Sequence, residues 1–490
     1  MQISLSLVSH TNAGKTTLAR TLLSRDIGTV RDESHVTDTA ESFEMIRSDA
    51  GDTLMLWDTP GFGDSVRLAR RLEKSDSPLN WMVGQVWDRL RDRPLFSSQQ
   101  ALRNVREQAD IVLYLVNASE DPEAAGYVEP EMRILAWTAK PVIVLLNQMG
   151  QPRPHAMEQA EVQLWRDHLA GYPHVRQVLA LDAFARCWVQ ERVLLDAIGP
   201  LLDGDRRAAF ARLYDAWVAQ REQAFSRSVQ ILADGMARAA VDFESITDTG
   251  IAGRLREIGS NLGLPGGQAQ PGRDQAMIDL ARRWDQRQRS DTDALIALHG
   301  LAGSATGEVM TRVDAHFSIS SKVSEGKAAV LGGVASGALA GLKADLATGG
   351  FTMGGGMLAG GILGALGAAG LARGYNMVRG TDRVLIQWSD PVLLSKLASG
   401  MLTYLAVIHF GRGRGNWAAS EYPAHWPVPV NALLDRERAA IQAAWKSRGS
   451  GPRDQNASDA IAARLAPLID SMLRQVLREL YPPPDPVPSN

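Results

Sequence analysis

The chain has 490 residues, a net charge of −3 and an isoelectric point near 6.3. That length is enough for two or three cores, while the slightly acidic balance excludes a global positive field that would draw it to nucleic acid, so no DNA partner is expected. The single cysteine, Cys187, excludes an internal disulfide and a cysteine-based metal centre; it reads as a small buried apolar residue in a chain suited to a reducing compartment.

The chain enters an apolar run at once, Ile3 to Val8, without the basic and apolar stretches of a secretory leader, so a cytoplasmic location is expected. Ser9-His10-Thr11-Asn12-Ala13-Gly14-Lys15-Thr16 follows and leads into Thr17-Leu18-Ala19-Arg20. Strand, loop, helix is the context a phosphate-binding P-loop requires. Inward-pointing N–H groups of the loop and the helix N-terminus, from Ala13 to Thr17, cradle a polyphosphate. Lys15 reaches the β- and γ-phosphates, and the Thr16 hydroxyl ligates Mg²⁺. Ser9 stands where the first glycine of the motif belongs, which a negative φ would allow. An ordinary helix N-cap is the plainer reading, but Gly-Lys-Thr with these flanks rarely arises by chance.

Leu54-Met55-Leu56-Trp57 has the pattern of a buried strand and ends in Asp58-Thr59-Pro60-Gly61. An acidic residue at that strand end holds the Mg²⁺ water shell, and Gly61 lets a backbone N–H approach a γ-phosphate. Together the two motifs resemble the translation-factor-related GTPases, and Asn12 narrows the resemblance to the Era-like branch over roughly the first 200 residues. The resemblance implies an α/β P-loop GTPase domain with a mostly parallel sheet, GTP and GDP as ligands and Mg²⁺ as cofactor. It also implies catalytic roles for Lys15, Gly61 and a switch threonine that senses Mg²⁺ and the γ-phosphate; Thr37 and Thr39 both lie in the right interval, and Thr37 is favoured. Asn12 is the residue that, in similar proteins, helps hold a K⁺ ion. Phe62 occupies the position of the water-orienting glutamine, so slow intrinsic hydrolysis is expected, with activation by K⁺, a homodimer or a partner protein.

Strands are expected near 2–8, 42–47, 53–58, 110–117, 141–147 and 175–181, with helices on both faces. The long connection 64–109 carries Arg67, Arg70, Arg71, Trp81 and Trp87; it reads as a helical pair packed on the domain or as an effector surface. After the apolar strand 142–146 comes Asn147-Gln148-Met149-Gly150, where the family carries Asn-Lys-x-Asp. Asn147 is kept, Gln148 loses a cation, and Gly150 removes the carboxylate that reads guanine N1 and N2, at about 1–3 kcal/mol. Asp182, after the last strand, is either the replacement acceptor or a helix N-cap.

From 204 the pattern becomes helical, with apolar spacing in 205–240, 273–300, 381–410, 428–448 and 455–480, so the chain divides into 1–203 and a predominantly α-helical 204–490. Gly411-Arg412-Gly413-Arg414-Gly415 reads as a helix stop rather than a nucleic-acid site. Residues 328–372 hold two uncharged stretches, interrupted by Lys343-Ala344-Asp345, with glycines at 333, 337, 341 and at 356, 360, 364. Glycines four apart share one helix face, so this is a Gly-zipper hairpin, either a soluble packed pair or a conditional membrane hairpin. Its longer arm would span about 40 Å, enough for a bilayer core of about 30 Å. Two functions follow as expectations. One is a GTP-hydrolysing switch whose nucleotide state controls a helical effector domain, peripheral or integral at the inner membrane through lipid contacts of 328–372. The other is a soluble Era-like GTPase that docks on a protein or ribonucleoprotein partner.

Overall fold

The computed structural model describes residues 1–11, 13–23, 40–74, 93–149, 155–181, 187–247, 271–300, 375–379, 383–409, 425–446 and 455–482. Asn12, Thr37, Thr39, Trp81, Trp87, Gly150, Asp182, the 411–415 run and the hairpin 328–372 lie outside the described residues.

The first region is a six-stranded sheet made of β1 (Gln2–Ser9), β2 (Glu41–Arg47), β3 (Thr53–Asp58), β4 (Ile111–Asn117), β5 (Val142–Asn147) and β6 (Val175–Ala180). Its order is β2-β3-β1-β4-β5-β6, parallel throughout except for β2, which pairs antiparallel with β3 at one edge. β4 and β5 are central because their apolar runs are buried on both faces, as helix-covered parallel strands must be. α1 (Lys15–Leu23) and α6 (Trp188–Ile198) pack on one face. The other face carries α2 (Ser65–Glu73), α3 (Arg93–Gln108), α4 (Val128–Ala136) and α5 (His155–Leu169). Within 64–109, α2 and α3 flank residues outside the described set, and α2 starts at Asp64, whose carboxylate accepts from the Arg67 N–H at 3.0 Å.

The helical region is built around α7 (Gly204–Ala240), a 37-residue helix about 55 Å long. Its first half buries Ala209, Phe210, Leu213 and Trp217 in the core beneath the sheet. Its second half, from Phe225 to Ala240, belongs to a second core with α8 (Pro271–Leu298), α9 (Asp390–Ile408), α10 (Pro427–Arg436), α11 (Arg438–Trp445) and α12 (Gln455–Leu480). The sheet end of α7 is pinned by Asp52, which takes the Met1 ammonium at 2.8 Å and Arg212 at 2.7 Å. These cations hold the Asp52 carboxyl well below its usual range.

Two expectations need correction. The segment 381–410 is not one helix: Arg383–Trp388 is a strand, and the helix starts at Asp390. That strand, β9, pairs antiparallel with β7 (Phe243–Thr247) and β8 (Tyr375–Arg379), so the second region holds a three-stranded sheet. Alternating β-branched and long apolar residues in Arg383-Val384-Leu385-Ile386-Gln387-Trp388 suit a half-buried strand better than a helix, with Ile386 and Trp388 buried. The helix expected over 428–448 is two, because the chain turns at Glu437. Among the described helices, α9 alone is long and apolar enough to cross a membrane, but Leu393, Leu397, Met401, Tyr404 and Leu405 are buried in the second core.

Candidate functional site

The C-terminal ends of β1, β3, β4 and β5 open at one edge of the sheet, where Asn117 and Asn147 lie side by side in register. Gly14 there has φ +88°, a conformation L side chains rarely adopt, and a Cβ on it would come within 2.7 Å of the Asn147 amide. The fully buried Asn147 donates its Nδ2 to the Ala13 carbonyl at 2.8 Å, tying β5 to the loop. Gln148 follows in a left-handed conformation, φ +59°, with its side chain close to Gly14.

Lys15 begins α1 and is buried, its Nζ donating to Ser9 Oγ at 2.9 Å. Ser9 therefore does more than tolerate the first-glycine position: it ends β1 with extended backbone and supplies the acceptor on which the lysine rests. Burial lowers the Lys15 pKa, opposed by the charges of Asp58 and Glu131. Thr16 Oγ1 donates to Asp58 Oδ2 at 2.7 Å. The other Asp58 oxygen, Oδ1, is buried without a hydrogen-bond partner among the described residues. Burial raises the Asp58 pKa, against the Thr16 hydrogen bond and the Lys15 charge. An orphaned carboxylate oxygen beside a threonine hydroxyl is the donor set a Mg²⁺ ion with its waters would satisfy, so these residues fit the ion.

The strand-end loop is laced to the P-loop. Phe62 N–H donates to the Ser9 carbonyl at 2.9 Å, and Thr11 Oγ1 donates to the Phe62 carbonyl at 3.2 Å. Gly61 is held so close that a Cβ would meet Lys15 Nζ at 3.0 Å and Thr11 Cα at 3.1 Å, so no other residue fits without displacement. The Phe62 ring is fully buried in the core with Leu68 and Leu72. Thr17 is buried on α1 and accepts from the Thr21 hydroxyl through its carbonyl at 2.9 Å.

The structure thus brings Ala13, Gly14, Lys15, Thr16, Thr17, Asp58, Gly61, Asn147 and Gln148 to one edge. Sequence reasoning missed Glu131. Val128, Met132 and Leu135 form a buried stripe on α4, and Glu131 falls on the same stripe, a signal that was legible as a carboxylate at a core position. It also missed that Cys187, which follows 182–186, is buried in the helical core and that Trp188 packs against both cores.

Residues 171–466, more than half of the chain, match the family described as a domain of unknown function (DUF3482). The chain belongs to that family. Residues 4–148, which span β1 to β5, match the family described as 50S ribosome-binding GTPase, and the region has the mostly parallel P-loop GTPase fold. Similar solved structures include an Era variant from Aquifex aeolicus bound to GDP·AlF4, 17% identical over 41% of this chain and 57% of that one, with a TM-score of 0.32. Era in complex with MgGDPNP and a segment of 16S ribosomal RNA is 16% identical over 37% of this chain and 51% of that one, TM-score 0.29. A variant of S. thermophilus NFeoB bound to GMPPNP is 14% identical over 61% and 96%, TM-score 0.24. The chain therefore spans about half the length of the two Era chains. No curated protein matches it.

Proposed function

We propose that the chain is a GTP-hydrolysing switch whose nucleotide state resets the packing of the helical region. In this reading Ala13 to Thr17 wrap the phosphates, Lys15 leaves Ser9 for the β- and γ-phosphates, and the Gly61 N–H meets the γ-phosphate. Thr16 and Asp58, with Thr37 from the switch segment, would hold Mg²⁺, which neutralises charge developing on the phosphate oxygens. Asn12 would hold K⁺ in the same role. Water oxygen bonds to the γ-phosphorus as the bond to the β,γ-bridging oxygen breaks, giving GDP and inorganic phosphate, with the water proton passing to phosphate and solvent. Asn147, Gln148 and Asp182 would line the base side. With Phe62 buried, no side chain at that position orients the water, so turnover is slow until a partner, a second copy or K⁺ assists.

The observation that carries the switch is the shared packing. α7 is a member of both cores, and Cys187 and Trp188, immediately after the segment holding Asp182, are packed against the helical core, where Trp188 Nε1 lies 3.4 Å from the Tyr404 hydroxyl. In this reading a change on the base side reaches α9 and α12 through Cys187 and Trp188. Hydrogen exchange with GMPPNP and with GDP tests it: protection in α9 and α12 should differ between the two nucleotides, and identical profiles would refute the switch. The location proposed is the membrane face of the cytoplasm, with 328–372 as the lipid-contacting segment. Flotation with liposomes in the GMPPNP, GDP and nucleotide-free forms tests that part, and absence of flotation in all three rejects it. The match to a family described as ribosome-binding favours a second reading, a soluble switch docking on a ribonucleoprotein, which co-sedimentation with ribosomal subunits would reveal.

A further inference from the structure

Glu131 is the one fully buried acidic side chain on the stripe of α4 that faces the sheet, and burying a carboxylate costs several kcal/mol unless donors meet it. Three groups act on it, from three elements. His10 Nδ1 lies 2.8 Å from Oε1, the Tyr114 hydroxyl donates to Oε2 at 2.6 Å, and the Ser65 side chain favours its charged form. His10 is the second residue of the P-loop, Tyr114 is central in β4, and Ser65 opens α2, the helix that follows Asp58-Thr59-Pro60-Gly61. The His10 ring is further fixed by stacking on Tyr127 with centroids 4.5 Å apart. The charge is also felt at the phosphate end of the site, since Glu131 is one of the groups that act on Lys15.

We propose that His10 and Glu131 are positioning residues for hydrolysis, a buried tie from α4 that holds the P-loop and the Gly61–Ser65 segment in the register that γ-phosphate contact requires. The proposal rests on the GTPase reading above. Its physical reason is the geometry of the gap. Lys15 Nζ and the Gly61 Cα face each other with barely a methyl's width between them, and the Phe62–Ser9 and Thr11–Phe62 hydrogen bonds close the same seam. A γ-phosphate entering there must find both walls at a set spacing. Phe62 is buried and brings no polar group, so backbone placement of this segment carries what a side chain supplies in glutamine-bearing GTPases. Glu131 sits on a helix that is packed by Val128, Met132, Ile134 and Leu135, and so provides a fixed point to which both walls are fastened.

The test uses the full chain with two substitutions at one position. His10→Phe keeps a ring against Tyr127 but removes the donor to Glu131; His10→Asn removes the ring but restores an N–H near the position of Nδ1. Single-turnover hydrolysis, nucleotide affinities and hydrogen exchange of residues 61–73 are read together. Expected is a roughly tenfold fall in hydrolysis rate in His10→Phe with GDP affinity within about twofold of wild type. His10→Asn should recover most of the rate, and GMPPNP-dependent protection at 61–73 should follow the same order. Wild-type hydrolysis in His10→Phe, or no recovery in His10→Asn at equal thermal stability, overturns the tie. If the wild type itself does not hydrolyse GTP, the GTPase reading fails; the exchange data still decide the tie, which stands only if protection at 61–73 appears with GMPPNP and is lost in His10→Phe.

Discussion

Around the P-loop, Lys15, Asp58 and Asn147 are buried yet converge on one edge of the sheet, and Asp58 Oδ1 has no hydrogen-bond partner there among the described residues. In the helical half, carboxylates are met directly by arginines. Asp242 takes Arg283 at both oxygens and Arg287 at 2.7 Å, and Glu222 takes Arg474 at 2.6 Å while that guanidinium covers the Phe225 ring. A carboxylate saturated by arginines is a structural joint, whereas one with a free oxygen beside a hydroxyl has the donor set that fits a cation. The contrast accords with the proposal above, in which the first region carries the chemistry and the second responds to it.

The largest way to break this contrast is Lys15→Ala. If the first region owns the chemistry, losing the point charge opposite the phosphates should weaken GTP binding by about 100-fold or more, or ~3 kcal/mol. Isothermal titration reads it, and unchanged affinity would remove the phosphate site. Trp188→Ala attacks the seam between the regions. Its ring packs against both cores, 6.2 Å from Phe225, so truncation should cost about 2–4 kcal/mol in chemical denaturation and shrink any nucleotide-dependent change in α9. Loss of stability with the nucleotide response intact would place the coupling elsewhere, in α7.

Acid should separate the regions next. Burial pushes His299 and His409 down to about 4, so both are neutral in the fold and take up protons on unfolding below about 6.5. The unfolded state binds more protons in that window, so stability falls as pH drops from 6.5 to 4, by up to about 3 kcal/mol for each histidine. Asp291, raised to about 6 mainly by burial, works the other way: its folded form holds a proton the unfolded chain releases above about 4, so it lends stability below pH 4 that is lost on passing 6. Denaturation of wild type and His409→Gln at pH 7 and 5 reads the balance. The variant should lose less stability between the two, and an equal loss would mean that the His409 pair with Tyr481 does not set the acid response.

How much of this was legible follows the same divide. Short-range motifs with fixed chemistry, Gly14-Lys15-Thr16 and Asp58-Thr59-Pro60-Gly61, place themselves, because each residue type has one physical reason to be there. The continuous apolar runs of β4 and β5 announce a sheet centre. Glu131 was missed because its meaning lies in partners 121, 17 and 66 positions away, at His10, Tyr114 and Ser65. The small sheet of β7, β8 and β9 was missed for a related reason: its strands are only five or six residues long, and although β8 and β9 pair locally, β7 joins β9 from more than a hundred positions away, so local periodicity carries little of the signal. Cys187 was expected to be buried and is, but in the core of the region it does not begin.

The finest form of the contrast lies within the nucleotide site itself. Among the described residues, Gly14, Lys15, Thr16, Asp58 and Gly61 lie together on its phosphate side, and Asn147 is fixed by the Ala13 carbonyl. On the base side the sequence carries Gly150 where an Asp would accept from guanine N1 and N2, and Gln148 where a lysine would cover the ring. A missing paired acceptor is worth about 1–3 kcal/mol, or roughly 5- to 150-fold in affinity. If Asp182 does not substitute for it, GTP and ATP should bind within about tenfold of each other, and Gly150→Asp should widen the gap in favour of GTP by at least that factor. If Asp182 does substitute, wild-type discrimination is already large, Asp182→Asn collapses it, and Gly150→Asp adds little. Competition titrations of the three proteins with both nucleotides distinguish the cases. Unchanged selectivity in both variants would show that neither carboxylate position reads the base, leaving Asn147 and the backbone as the groups that touch it.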